Sequence, residues 1–195
     1  TGKLYYFNVR ATDNAGNLSG VSSSNGQLVT PTLTFDIDVD ASDTDTSPPY
    51  IVDFDGLSAG NVATTPKKIW VDFETNGVAG GRVYVAGSNG GLHSTAAGSD
   101  IISATANLAA ANAGFGAQGS SATQSSGGPF NTASPYDGTG DNVGVLNTTF
   151  QSIFSTSNPI TGGRGSFLLK AKPSNLTPAS NDYSDTLIII AAGTY

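Results

Sequence analysis

The stretch Pro31–Asp40, PTLTFDIDVD, decides the class of the fold. Leu33, Phe35, Ile37 and Val39 fall on one side of an extended chain. Thr34, Asp36, Asp38 and Asp40 fall on the other. A period of two is the signature of a β-strand with one dry face and one wet face. The strand stops at ASDTDTSPP (41–49), where small polar residues and two prolines cannot extend a ladder.

Outward from this strand the same pattern recurs. KLYYFNVRA (3–11) places Tyr5, Phe7, Val9 and Ala11 on one face, and the turn DNAGN (13–17) follows it. A weaker strand is expected over 26–30. YIVDFDGL (50–57) reads as a resumed strand. KKIWVDFET (67–75) sets Ile69, Val71 and Phe73 against Trp70 and Asp72. GRVYVAGSNGGLHS (81–94) reads as a hairpin about Asn89-Gly90. The segment from 94 to 142 has no sustained period and reads as long loops around one short strand near Phe115. Strands return in NVGVLNTTFQSIF (142–154), GRGSFLLKAKPS (163–174) and DTLIIIAAGTY (185–195). The last has no polar alternation, so it is expected to be covered on both faces or to await a partner. Short strands with turns between them predict an all-β, antiparallel β-sandwich of jelly-roll or Ig-like type. Long Gly/Ser-rich loops and an N-terminal strand extension complete the expectation, with residues 1–30 as the extension and 31–195 as the sandwich.

Composition points to habitat. Only 12% of the 195 residues are charged, and 25 are glycine. A weakly charged polar surface suits a protein outside cells. There is no Cys and no Met, and Thr at position 1 predicts a processed chain or a piece of a longer one. A net charge of −7 with only eight basic residues argues against nucleic acid as a partner. No apolar run of membrane-spanning length occurs.

Each motif that might carry chemistry has a plainer reading. Asp40, Asp43 and Asp45 are the candidate Ca²⁺ ligands, being the part of the acidic run that lies in a loop. Carboxylates on alternate residues of one strand are too far apart to share an ion. The plainer reading is a solvated acidic face that discourages wrong edge pairing. His93 is the only histidine, and no nucleophile motif accompanies it. Glu74 with Asp72 is a paired-carboxylate arrangement on one strand. GVAGG (77–81) and TGGRG (161–165) lack the features of a phosphate loop and read as loop tips, with Arg164 and Arg82 at the surface or strand ends. Asn17, Asn147 and Asn175 begin N-x-[ST] sequons and are the glycosylation candidates. Lys170 and Lys172, on an apolar strand, are the positions at which to look for an isopeptide cross-link. No catalytic constellation emerges, so the chain is expected not to be an enzyme and to need no cofactor beyond the possible Ca²⁺.

Two resemblances add to this reading. LYYFNVRATDNAGNLS (4–19) resembles the F strand and following turn of a bacterial fibronectin type III domain, through Tyr5, Phe7, Val9, Ala11, Asp13 and Ala15–Asn17. The resemblance implies a tyrosine corner at Tyr5. Residues 33–195 resemble a secreted bacterial surface domain, through VDFDGLSAGNVAT, VDFETNGVAGGRVYV, NGGLHS and NDYSDTLIIIAAGTY. The last of these is similar to the finish of pilin-like and spore-coat-like β-sandwiches. With the β content, the low charge and the unpartnered apolar strand at the front, this ending points to a structural subunit of an extracellular bacterial filament, pilus or surface layer. Its partners are other copies of itself in a head-to-tail homopolymer, joined by β-strand addition. The expected subunit contacts are Tyr5, Phe7, Val9 and Ala11, with Leu187 and Ile189. The alternative is a monomeric adhesin or carbohydrate-binding module facing host or cell-surface glycans through Tyr84, Phe130 and Tyr136.

Overall fold

The computed structural model describes residues 4–195, so Lys3, counted above in the first expected strand, lies outside them. Among the described residues every regular element is a strand, and the strands pair antiparallel. None is a helix that could cross a membrane.

The chain starts with an arm. Strands β1 (Leu4–Tyr5), β2 (Asn8–Val9), β3 (Ser22–Ser23) and β4 (Gln27–Leu28) make one interrupted hairpin, β1 against β4 and β2 against β3. At its tip an Asp13 carboxylate oxygen accepts hydrogen bonds from the N–H groups of Ala15 (2.9 Å) and Asn17 (2.8 Å). Gly16 there has φ 86°, which glycine adopts without strain. No arm residue joins the core.

The body contains β5 (Leu33–Asp40), β6 (Ala63–Thr64), β7 (Lys68–Thr75), β8 (Gly81–Gly87), β9 (Gly91–Ser94), β10 (Ser99–Ile102) and β11 (Ala106–Asn107). It continues with β12 (Gly114–Thr123), β13 (Ser126–Gly127), β14 (Asn131–Thr132) and β15 (Asn142–Val143). It ends with β16 (Gln151–Thr156), β17 (Ile160–Lys172) and β18 (Leu187–Gly193). One sheet runs β12-β17-β7-β5, with β6 and β13 extending it along β17; the other runs β14-β16-β8-β18. Consecutive strands β7 and β8 lie in different sheets, as do β16 and β17, while β7 pairs β17 and β8 pairs β16. Two neighbouring connections therefore pass between the layers and hold them face to face.

The shared core follows from the alternation. Phe35, Ile37 and Val39 stand opposite Phe73, Val71 and Ile69. Val83, Val85 and Phe154 come from the second sheet. Phe130 stacks between Phe73 (centroids 5.9 Å) and Phe154 (5.3 Å). Gly165 makes the room: a Cβ there would lie 2.8 Å from the Phe154 ring. A register shift between Ser152 and Phe154 lets the adjacent Ile153 and Phe154 both be buried.

Four expectations need correction. The 94–142 segment is more strand-rich than expected: β12 is ten residues long, with Gly114–Gln118 buried. Its Gly and Ala residues, with no side chain or only a methyl group, hide the period. They are small because loops cross close by; a Cβ on Gly116 would lie 2.5 Å from the Gly144 carbonyl oxygen. The Asn89-Gly90 turn exists, with Gly90 at φ 70°, but β9 pairs with β10 and not with β8. Both edges of β8 are already taken by β16 and β18. The 50–57 segment belongs to no sheet and turns at Asp55, whose φ is 56°. Thr161–Gly165 is no loop tip but lies within β17, beside a bulge.

Candidate functional site

The outer face of the first sheet carries a charged cluster. Asp36 and Asp38 come from β5, and Asp72 lies opposite Asp36 on β7. Arg164 lies opposite Asp72 on β17. Asp43 reaches in from the loop after β5. The Arg164 Nη2 donates to Asp38 at 2.9 Å, and its Nε donates to Asp43 at 2.8 Å. Nη1 sits 2.7 Å from an Asp72 oxygen, an ion pair whose angle falls short of a hydrogen bond. The guanidinium lies against Trp70, whose Nε1 donates to the Asp40 carbonyl at 3.0 Å.

Burial sorts these carboxylates. Asp38 is only 2% exposed. Burial opposes its ionisation, but hydrogen bonds from Thr46 and Arg164 outweigh it and hold the carboxyl below the usual aspartate range. Asp72 goes the other way. Burial pushes it up, and the attraction of Arg164 offsets this only in part. The contacts to Asp38, Asp43 and Asp72 outweigh burial and raise the Arg164 pKa.

The expected Ca²⁺ trio, Asp40, Asp43 and Asp45, does not form a cluster. Asp40 instead accepts from Ala41 N (2.7 Å) and Thr44 Oγ1 (2.6 Å), and Asp43 turns to Arg164. Among the described residues, the one group of three carboxylates whose oxygens all come within 4.8 Å of one another is Asp36, Asp38 and Asp72. Spacing along one strand could not reveal this group, because its third member comes from the neighbouring strand. The cation these carboxylates face is Arg164, which the sequence reading left at a loop tip.

The other candidates have local partners. Glu74 accepts from Gly162 N at 2.7 Å and closes the bulge in β17. His93 Nδ1 lies 2.7 Å from an Asp100 oxygen across the β9–β10 pair. Among the described residues no hydroxyl hydrogen-bonds to the His93 ring. Asp182 accepts from Ser180, Ser94 and Ala96 N, which hold its carboxyl well below the usual range. Lys170 pairs with Asp141 at 3.0 Å, and Lys172 donates to the carbonyls of Leu108, Ala109 and Ala111. Asn175 is exposed beside Leu176, which is 92% exposed; Asn17 is exposed at the arm tip; Asn147 is half-buried.

Two of the three aromatics expected at a glycan surface are interior. Phe130 is 2% and Tyr136 0% exposed. The Tyr136 hydroxyl donates to Val145 O at 2.6 Å, and burial pushes its pKa up to about 12.

The apolar surface lies elsewhere. In the arm Tyr5, Phe7 and Val9 are 54–68% exposed, and Ala11 is exposed as well. On β18, the side chains of Leu187 and Ile189 turn inward and pack against the core. Ile188 and Ile190 are the outward pair, at 46% and 41%. Strand β18 is the edge of its sheet, and no charged residue occurs from Leu187 to Tyr195.

Comparison with protein-family models, with curated proteins and with solved structures finds no match. The fold and these surfaces define an all-β protein, with two larger sheets about one core, smaller two-stranded pairs beside them and an N-terminal arm of exposed apolar residues.

Proposed function

We propose that this chain is a structural subunit of an extracellular bacterial assembly, a filament, pilus or surface layer, joined by β-strand addition of the N-terminal arm. One observation carries the reading. The arm's large apolar side chains are more than half exposed, yet the arm joins no core of its own chain. A two-stranded hairpin with both faces wet is marginal in water and gains stability by pairing. The low charge content supports a place outside the cell.

The test removes residues 1–29 and compares the shortened and full chains by negative-stain microscopy and sedimentation. The expected result is loss of assembly with the β-rich circular dichroism retained. Assemblies that persist without the arm overturn the reading, and they are also what is expected if upstream chain covers the arm in an ordinary fibronectin type III-like unit. The adhesin alternative rests on Tyr84, the half-buried remainder of its aromatic set. It calls for a monomer that binds glycan with the arm deleted.

A further inference from the structure

The edge of β18 has a specific polarity. Thr194 N donates to Gly80 O (2.8 Å), and Ser88 N donates to Thr186 O (2.9 Å). One step upstream, Ser184 and His93 exchange both backbone hydrogen bonds at 2.9 Å. Even-numbered residues of this stretch therefore direct their N–H and C=O groups at β8 and β9. In an antiparallel ladder the residues between them direct theirs the opposite way. Asp185, Leu187, Ile189 and Ala191 thus present backbone groups to an open edge, with no backbone partner among the described residues.

Across from the start of this edge runs the segment 50–57. None of its backbone groups makes a hydrogen bond among the described residues. Between the two lies a cleft of about 700 Å³, whose floor includes Leu92, Phe115 and Leu169. Its walls are thus unpaired backbone and its floor is core. The other free edge on this side of the molecule, β5, is guarded. Its Val39 N–H is taken by Thr46 Oγ1 (3.0 Å), and Asp36, Asp38 and Asp40 line its outer face. Strand β18 has no such guard, and long unguarded apolar edges recruit strands.

We infer that the open edge of β18, with the cleft against 50–57, accepts the Leu4–Val9 strand of a second copy. This rests on the assembly reading above and names its acceptor. Three features favour that occupant. Six residues extended at about 3.3 Å each span about 20 Å, within the length of the 185–191 edge. Tyr5, Phe7 and Val9 alternate, as a strand laid over a core must. The charges are complementary: residues 1–30 hold Lys3, Arg10 and Asp13, a net of +1, so the remainder of the −7 chain carries −8. Asp53, Asp55 and Asp185 border the cleft.

The test is residue-resolved amide exchange on the full chain, dilute and concentrated, with Phe7→Asp and Ile190→Lys variants. Ile190 is outward, so the lysine guards the edge without entering the core. The expected result is that the amides of Asp185, Leu187, Ile189 and Ala191 exchange at least about tenfold more slowly in the associated state. Both variants should abolish that protection. Association that leaves these four amides unprotected overturns the acceptor while the assembly reading stands. Protection independent of concentration shows that the arm closes on its own chain and overturns the proposal. Protection that survives Phe7→Asp means that two β18 edges pair with each other, and it overturns the arm as occupant. Absence of any association overturns both this proposal and the reading on which it rests.

Discussion

Arg164 shows how one side chain organises a face of the molecule. It stands in β17 among Asp38, Asp43 and Asp72, and its own side chain is only 15% exposed. Removing one partner of a buried pair leaves the other charge uncompensated, typically at about 3–5 kcal/mol. Since Asp43 and Asp72 are half-exposed and screened, Arg164→Met is expected to cost toward the lower end, about 3 kcal/mol. A urea titration reads this, and Asp38→Asn in the same chain should restore part of the loss. A shift below about 1 kcal/mol is that of a surface ion pair and would contradict the burial of Asp38. Asp38 also has a pH signature. Its folded pKa is depressed below the ordinary 3.8, so its contribution is full above that value and is lost as pH falls through the folded one. Asp72, raised in the folded state, has the opposite sign and softens the loss. The urea midpoints of the parent and Asp38→Asn chains are expected to converge from about pH 6 down to about pH 2. A gap that stays constant would assign Asp38 no such role.

At the scale of elements, packing between sheets depends on where side chains are missing. Gly165 of β17 faces Phe154 of β16. Gly165→Ala is expected to destabilise by about 1–3 kcal/mol, because the ring is held in the Phe73–Phe130–Phe154 stack and cannot step aside. Thermal melting checks this, and an unchanged midpoint would mean that the stack is slack. The same small residues explain what was legible in the sequence. Strands β5 and β7 showed themselves because Phe35, Ile37, Val39, Ile69, Val71 and Phe73 announce a period of two. Strand β12 did not, because its Gly and Ala positions are chosen for close approach of loops.

For the whole molecule, charge sets how readily copies approach. At −7, bodies repel one another; near the pI of about 4.3 that repulsion vanishes. Light scattering of the full chain is expected to peak near pH 4.3 and fall on either side. A flat profile would show that net charge does not limit association. The arm and strand β18 both carry exposed apolar side chains.

The sequence by itself determined the all-β class, the strand faces around β5 and β7 and the apolar demand of the arm. These follow from local periodicity, which any short window contains. Tertiary structure alone decided that Asp36, Asp38 and Asp72 gather about Arg164, that Leu187 and Ile189 turn inward, and that β8 takes β16 and β18 instead of β9. Each is a matter of which strand lies beside which, and that is settled by competition among distant partners for the same edges and the same core volume.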